Sequence, residues 1–331
     1  MTKRATALIV ALGLTASLAQ AADAIPVQKV DQALHDRLPD EIKKSGKMIS
    51  VNNGSFPPYE IVNGPHSMEG ASAELTTALA QLLGVKIEHA TVSGLSGVLT
   101  GINAGRYQLA IGPIGDYPDR QQKVDFIDFV QEFVVFGVQK GNPARINQLD
   151  DTCGKRIAVM AAGSAEQVIR KQSARCVADG KPAVTVQAFT DQPSSILAVR
   201  SKRSDAFFSS QAPLTYFVNQ AKGQLELAGK GQKNGFGDIF QGTVVPKGSP
   251  LGQVVLDAYK ELYQNGTYAA IMKKWQLEGN MTTAPGLNLA KEASKCARRA
   301  ISTAVTEARH SCATWLSLAA RPLTDAGSAG F

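Results

Sequence analysis

The pattern that most constrains this chain is an alternation of extended and helical segments that runs β-α-β-α-β and then starts again. KMISVNNG (47–54) reads as a strand, and SMEGASAELTTALAQLLG (67–84) puts apolar residues at helical spacing and stops at Gly84. VKIEHATV (85–92) is a second strand, LSGVLTGINAGR (95–106) a second helix with Gly105 as its stop, and YQLAIGPI (107–114) a third, buried strand. The second round follows: GKRIAVMAA, GSAEQVIRKQSARCVADG, AVTVQAF, PSSILAVRSKR and SDAFFSS. Alternation of this kind predicts parallel strands covered by helices.

Two apolar extended runs, FVQEFVVFGVQK (129–140) and FGDIFQGTVVPKG (236–248), flank the second round, and two closing helices follow in 249–275. The predicted fold is therefore α/β, with two βαβ-type lobes joined by two hinge strands and a ligand cleft between them. A single continuous doubly wound sheet is the alternative. The expected division is a polar lead-in at 22–45, lobe one from 46–137 plus 240–284, lobe two from 138–239, and an extension at 285–331.

Residues 1–21 read as a cleaved export signal: MTKR is basic, ATALIVALGLTASLA is apolar, and Ala19-Gln20-Ala21 is a small-x-small cleavage pattern. No cysteine follows the apolar stretch, so a periplasmic protein rather than a lipoprotein is expected. The formal charge of +7 lies largely at the ends: Lys3 and Arg4 leave with the leader, and the tail from Lys291 adds +3, which leaves a body near +2. No basic stripe with interleaved aromatics remains, which argues against nucleic-acid binding.

Four cysteines, Cys153, Cys176, Cys296 and Cys312, allow three full pairings. Cys153 with Cys176 would close a short loop within lobe two; two free buried thiols are the alternative. His35, His66, His89 and His310 are scattered, and no HExxH, GxSxG, P-loop or CxxC occurs, so neither cofactor nor metal is expected.

Three stretches carry chemistry. Arg120, in GDYPDRQQKVDF (115–126), follows the third strand, where a guanidinium can grip a carboxylate through two parallel bonds. Asp116, Asp119 and Asp125 make a local ion pair the competing use. Gly163 and Ser164 begin the first helix of lobe two, where free amides can hold an anion; a plain N-cap is the competing use. FPPYE (56–60) holds Phe56 and Tyr59 in a proline-stiffened loop, able to cover a ligand or simply to pack.

In this order FPPYE, MEGASAELTTALAQLLG, INAGRYQLAI, DYPDRQQKVDF, GKRIAVMAAGSAEQ, SDAFFSSQAP and NGTYAAIMKKW resemble the bacterial extracellular solute-binding proteins, family 3, over about residues 45–278. The resemblance implies a type II periplasmic binding protein-like, monomeric receptor that hands a small carboxylate or amino-acid ligand to the membrane permease of an ABC importer. It implies that Phe56 covers the ligand, that Arg120 pairs with its α-carboxylate, that Gly163 and Ser164 meet the same carboxylate, and that Cys153 and Cys176 form a disulfide. Three positions depart from the family: Tyr117 replaces a threonine, Ser210 the aspartate for the ligand's amine, and Leu95 an aromatic. Asp116 is then a candidate partner for the amine, and Gln211 for a neutral group. The scaffold also hosts a cyclohexadienyl/arogenate dehydratase, so an enzyme is the alternative, with Glu60, Tyr117 and Asp116 as its candidate acids.

Overall fold

A computed structural model describes residues 25–64 and 66–290. The expected leader, Cys296, Cys312 and the extension beyond 290 lie outside the described residues. The lead-in folds as two short helices, α1 (Gln32–Asp36) and α2 (Asp40–Ser45). Then come β1 (Lys47–Asn52), the hairpin β2 (Ile61–Gly64) and β3 (Ser67–Glu69), α3 (Ala71–Leu83), β4 (Lys86–Thr91), α4 (Gly94–Asn103), β5 (Ala110–Gly115) and β6 (Val124–Glu132). The second lobe holds β7 (Val134–Gln139), β8 (Arg156–Met160), α5 (Ser164–Ala178), β9 (Thr185–Phe189), α6 (Gln192–Arg200), β10 (Ala206–Ser210), α7 (Gln211–Gln220) and β11 (Leu225–Ala228). The chain returns through β12 (Ile239–Pro246), α8 (Pro250–Gln264), α9 (Thr267–Lys274) and β13 (Met281–Leu287).

In lobe one β1 and β4 pair in parallel, β1 touches the start of β5 at Ser50 and Leu109, and β5 joins the order β13-β6-β12-β5. Lobe two has one five-stranded sheet, β11-β7-β10-β8-β9, parallel at β10-β8-β9 and antiparallel at its other side. Strand alternation divides its core cleanly. Phe136 and Phe208 face one layer, packed with Ile169 and Cys176; Val135 and Phe207 face the other, packed with Ile196 and Leu214. In lobe one the periodic Leu75, Leu79 and Leu82 of α3 pack with α8 and α9 residues Val255, Tyr259 and Ile271. Gly84 caps α3 in the left-handed region, at φ 64°, as its place after an apolar run predicts.

The crossing between lobes is sharper than the sequence predicts. Only Phe133 separates β6 from β7, so Val134–Gln139 pairs into the second sheet rather than ending lobe one at 137. The return strand starts beside it, with Ile239 opposite Glu132. Lobe one also extends past 284, because β13 pairs with β6, the Asn288 amide donates to Phe126 O, and the Leu289 and Ala290 amides donate to Asp128 and Asp116. Cys153 and Cys176 are joined as a disulfide, which ties the loop before β8 to α5.

Candidate functional site

Where the lobes meet they enclose a cavity of about 70 Å³. That is small beside the roughly 300–1,000 Å³ of drug-sized sites, so it suits a small solute. Of the nine residues predicted for the site, Phe56, Tyr117, Arg120, Gly163, Ser164 and Ser210 line it.

Arg120 opens a single 3-10 turn after β5. Its Nη1 donates to Gly115 O (2.8 Å) and its Nη2 reaches across to Ala162 O of lobe two (3.3 Å). The guanidinium lies 5.0 Å from the centroid of the Tyr117 ring. None of the three nearby aspartates pairs with it. Asp125 bonds to Lys247 (2.6 Å) and to the Gly248 amide (2.7 Å), Asp119 makes no ion pair with a described residue, and Asp116 is turned the other way. Arg120 makes no ion pair with any described residue, and burial lowers its pKa from the usual value. A half-buried cation that loses its water as the cleft fills is costly unless something supplies an anion.

Across the cleft, α5 begins at Ser164 with Gly163 as its N-cap, and no side chain caps the helix. Its first amides therefore point free at the cavity, with the positive end of the helix dipole behind them. Ser164 is no self-cap: its Oγ accepts from Tyr117 Oη (2.8 Å), a hydrogen bond between the lobes. Asn53 Nδ2 and Met160 Sδ make a third contact across the cleft at 3.8 Å.

The FPPYE loop is fixed by α3. The Ala71 amide donates to Pro58 O (3.1 Å) and the Ser72 amide to Tyr59 O (2.9 Å), so the first free amides of the helix hold the loop. Gly70 makes the approach possible, since a side chain there would strike those carbonyls. Phe56 thereby reaches the cavity.

Three predicted residues do not line it. Tyr59 is fully buried in the lobe-one core, where burial raises its pKa well above the usual value. Gln211 starts α7, its amide bonded to Phe133 O (2.7 Å), and stays outside the cleft. Asp116, 1 % exposed, follows Gly115 and points into lobe one. It accepts from Gln121 Nε2 (2.6 Å) and the Ala290 amide (3.0 Å), and it adjoins the carboxyl of Asp128, which accepts from the Leu289 amide (2.9 Å). Two adjoining carboxyls resist ionising together, and burial raises the pKa of both. Asp116 is therefore no partner for a ligand in the cleft.

The polar residues found there instead are Asn53, Glu60, Gln192, Ser209 and Gln241. Gln192 sits three residues past β9 and is held by Ser209 Oγ (3.1 Å). Its place at a strand end was the signal that would have found it. Among the described residues no group of three or more acids, histidines or cysteines is placed to hold a metal, and no helix is long and apolar enough to cross a membrane.

The family model for bacterial extracellular solute-binding proteins, family 3, matches residues 48–278. The arginine-binding protein ArgT of Corynebacterium glutamicum is 25% identical over 246 residues, covering 73% of this chain and 78% of that protein. The L-cystine-binding protein TcyJ of Escherichia coli K12 is 24% identical over 241 residues, covering 71% and 85%. Among solved structures, the ancestral amino acid-binding protein AncCDT-1, a precursor of cyclohexadienyl dehydratase, superposes with a TM-score of 0.62 at 22% identity, over 71% of this chain and 97% of that one.

Proposed function

This chain belongs to the bacterial extracellular solute-binding proteins, family 3, and on that premise we propose that it is the monomeric periplasmic receptor of an ABC importer for a small carboxylate-bearing solute, a polar amino acid or a derivative. The observation that carries the reading is Arg120, a half-buried cation without an ion-pair partner among the described residues, bonded to a carbonyl in each lobe and facing the uncapped start of α5. A bound carboxylate would supply its missing anion and take up the α5 amides at once. Closure then follows as a population shift, since both carboxylate-binding elements come together only when the lobes do. The leader delivers the receptor to the periplasm, and a membrane permease takes the ligand from it. Relatives that bind arginine and cystine support an amino acid as the ligand class.

Titration calorimetry with an amino-acid panel tests this. Arg120→Ala is expected to weaken the best ligand about 1,000-fold, or about 4 kcal/mol; near-normal affinity would sink the reading. We read the cleft as binding rather than catalytic, although Glu60 is a neutral-leaning acid inside it. Incubation with prephenate or arogenate is expected to give no aromatic product, and its appearance would replace receptor by enzyme.

A further inference from the structure

The cavity holds a second ionisable side chain that no described residue answers. Glu60 closes the FPPYE turn, exchanges backbone bonds with Phe56 (2.8 and 3.0 Å), and is only 6 % exposed. Its carboxyl lies over Gly112 of β5, where any side chain would collide with it, and it borders the same cavity as Arg120. Burial alone accounts for its pKa being pushed up to about 8, with no cation or donor among the described residues to offset it. Gln241, paired with Gly115 across β12 and β5, likewise keeps a buried Oε1 without a donor. Glu60 and Arg120 are the charged side chains among the described residues of the cavity wall, and Tyr117 is the remaining titratable one.

Charge arithmetic then decides the ligand class. A ligand with one carboxylate and one ammonium leaves neither Arg120 nor Glu60 unpaired, and its ammonium has donors for both Glu60 and Gln241. A second cation on the ligand would find no anion, and a second carboxylate would face Glu60. Ser210 stands where the family's amine-binding aspartate was expected, and Asp116 is committed elsewhere, which leaves Glu60 as the anion of the site. We propose that Glu60 receives the ligand's ammonium group, and that the receptor selects net-neutral zwitterions over cationic and dicarboxylic amino acids. This rests on the carboxylate-receptor reading above.

Calorimetry on wild type, Glu60→Gln and Arg120→Lys separates the two ideas, using neutral L-amino acids, their 2-hydroxy-acid counterparts, L-arginine and L-glutamate as probes. The best neutral amino acid is expected to bind wild type at least about tenfold tighter than arginine or glutamate, and about 100-fold tighter than its hydroxy acid. Glu60→Gln keeps the side-chain volume and is expected to cost roughly 10- to 100-fold for the amino acid while erasing the preference over the hydroxy acid. Wild type also releases a proton on binding near neutral pH, read from the dependence of heat on buffer ionisation, and Glu60→Gln does not. Unchanged affinity and discrimination in a folded Glu60→Gln protein overturn the proposal and leave the reading intact, as does tightest binding of arginine or glutamate. Should the variant fail to fold, absence of proton release from wild type overturns it. Arg120→Lys weakens amino and hydroxy acids alike if the reading holds. Failure of wild type to bind any of these carboxylates removes the reading, and the Glu60 assignment with it.

Discussion

In lobe one, Glu60, Asp116, Asp125, Asp128 and Glu132 are all at most 9 % exposed, whereas every buried polar residue described in lobe two is neutral. Lobe two instead joins Cys153 to Cys176 and sets Gln172 Nε2 against Asp150 Oδ1 (3.1 Å) and the two sulfurs. The same division reaches the cleft: lobe one supplies charged side chains, lobe two the backbone amides of α5. One lobe is thus sensitive to protons and the other to redox state. Even the crossing obeys this, for Glu132 is pushed up to about 7 by burial while it holds the Phe133 amide and Asn280 (3.0 Å each).

Reduction of the disulfide is the strongest way to separate the lobes. The bond closes a loop with a sequence separation of 23, worth about 3 kcal/mol on the loop-entropy model. Denaturant melts with and without reductant are expected to differ by that amount, with hydrogen exchange accelerated in β8, β9 and α5 but not in β5 or β6. Equal acceleration in both lobes would break the contrast.

The acid pair makes the complementary test. An acid with a raised folded-state pKa costs stability above its unfolded value near 3.9, and the cost grows as pH rises toward the folded value. Asn at 128 can still accept from the Leu289 amide. Asp128→Asn is therefore expected to stabilise the protein by about 1–2 kcal/mol near pH 8, the gain fading toward pH 4. A gain independent of pH would contradict the raised pKa of this pair. The smallest effect is expected from Tyr117→Phe, which removes the bond to Ser164 and with it about 1 kcal/mol from closure, seen as a few-fold loss of ligand affinity. No change would mean that this bond adds nothing to closure.

Much of the architecture was legible because periodicity and stop signals are local. Leu75, Leu79 and Leu82 mark α3, Gly84 ends it, and Gly163-Ser164 marks the start of α5. Helix α7 and strand β11 went unread: QAPLTYFVNQ has a proline at its third position and no side-chain cap, and LELA is only four residues long. Asp116 shows a different limit. It adjoins Gly115 in sequence, but successive residues of an extended chain face opposite ways, and its partner Ala290 is 174 positions distant. Glu60 was visible as an acid in a stiff loop. Its lack of any partner among the described residues is a tertiary fact that no spacing encodes.

The backbone at Leu289 and Ala290 hangs on Asp128 and Asp116, while Asn288 is bonded to Asp125 (2.9 Å). Mechanically this is a tether with three pegs. Its innermost peg, Asp116, is the covalent neighbour of Tyr117, whose hydroxyl spans the cleft. Load applied along the chain at Ala290 is thus delivered within one residue of a contact between the lobes.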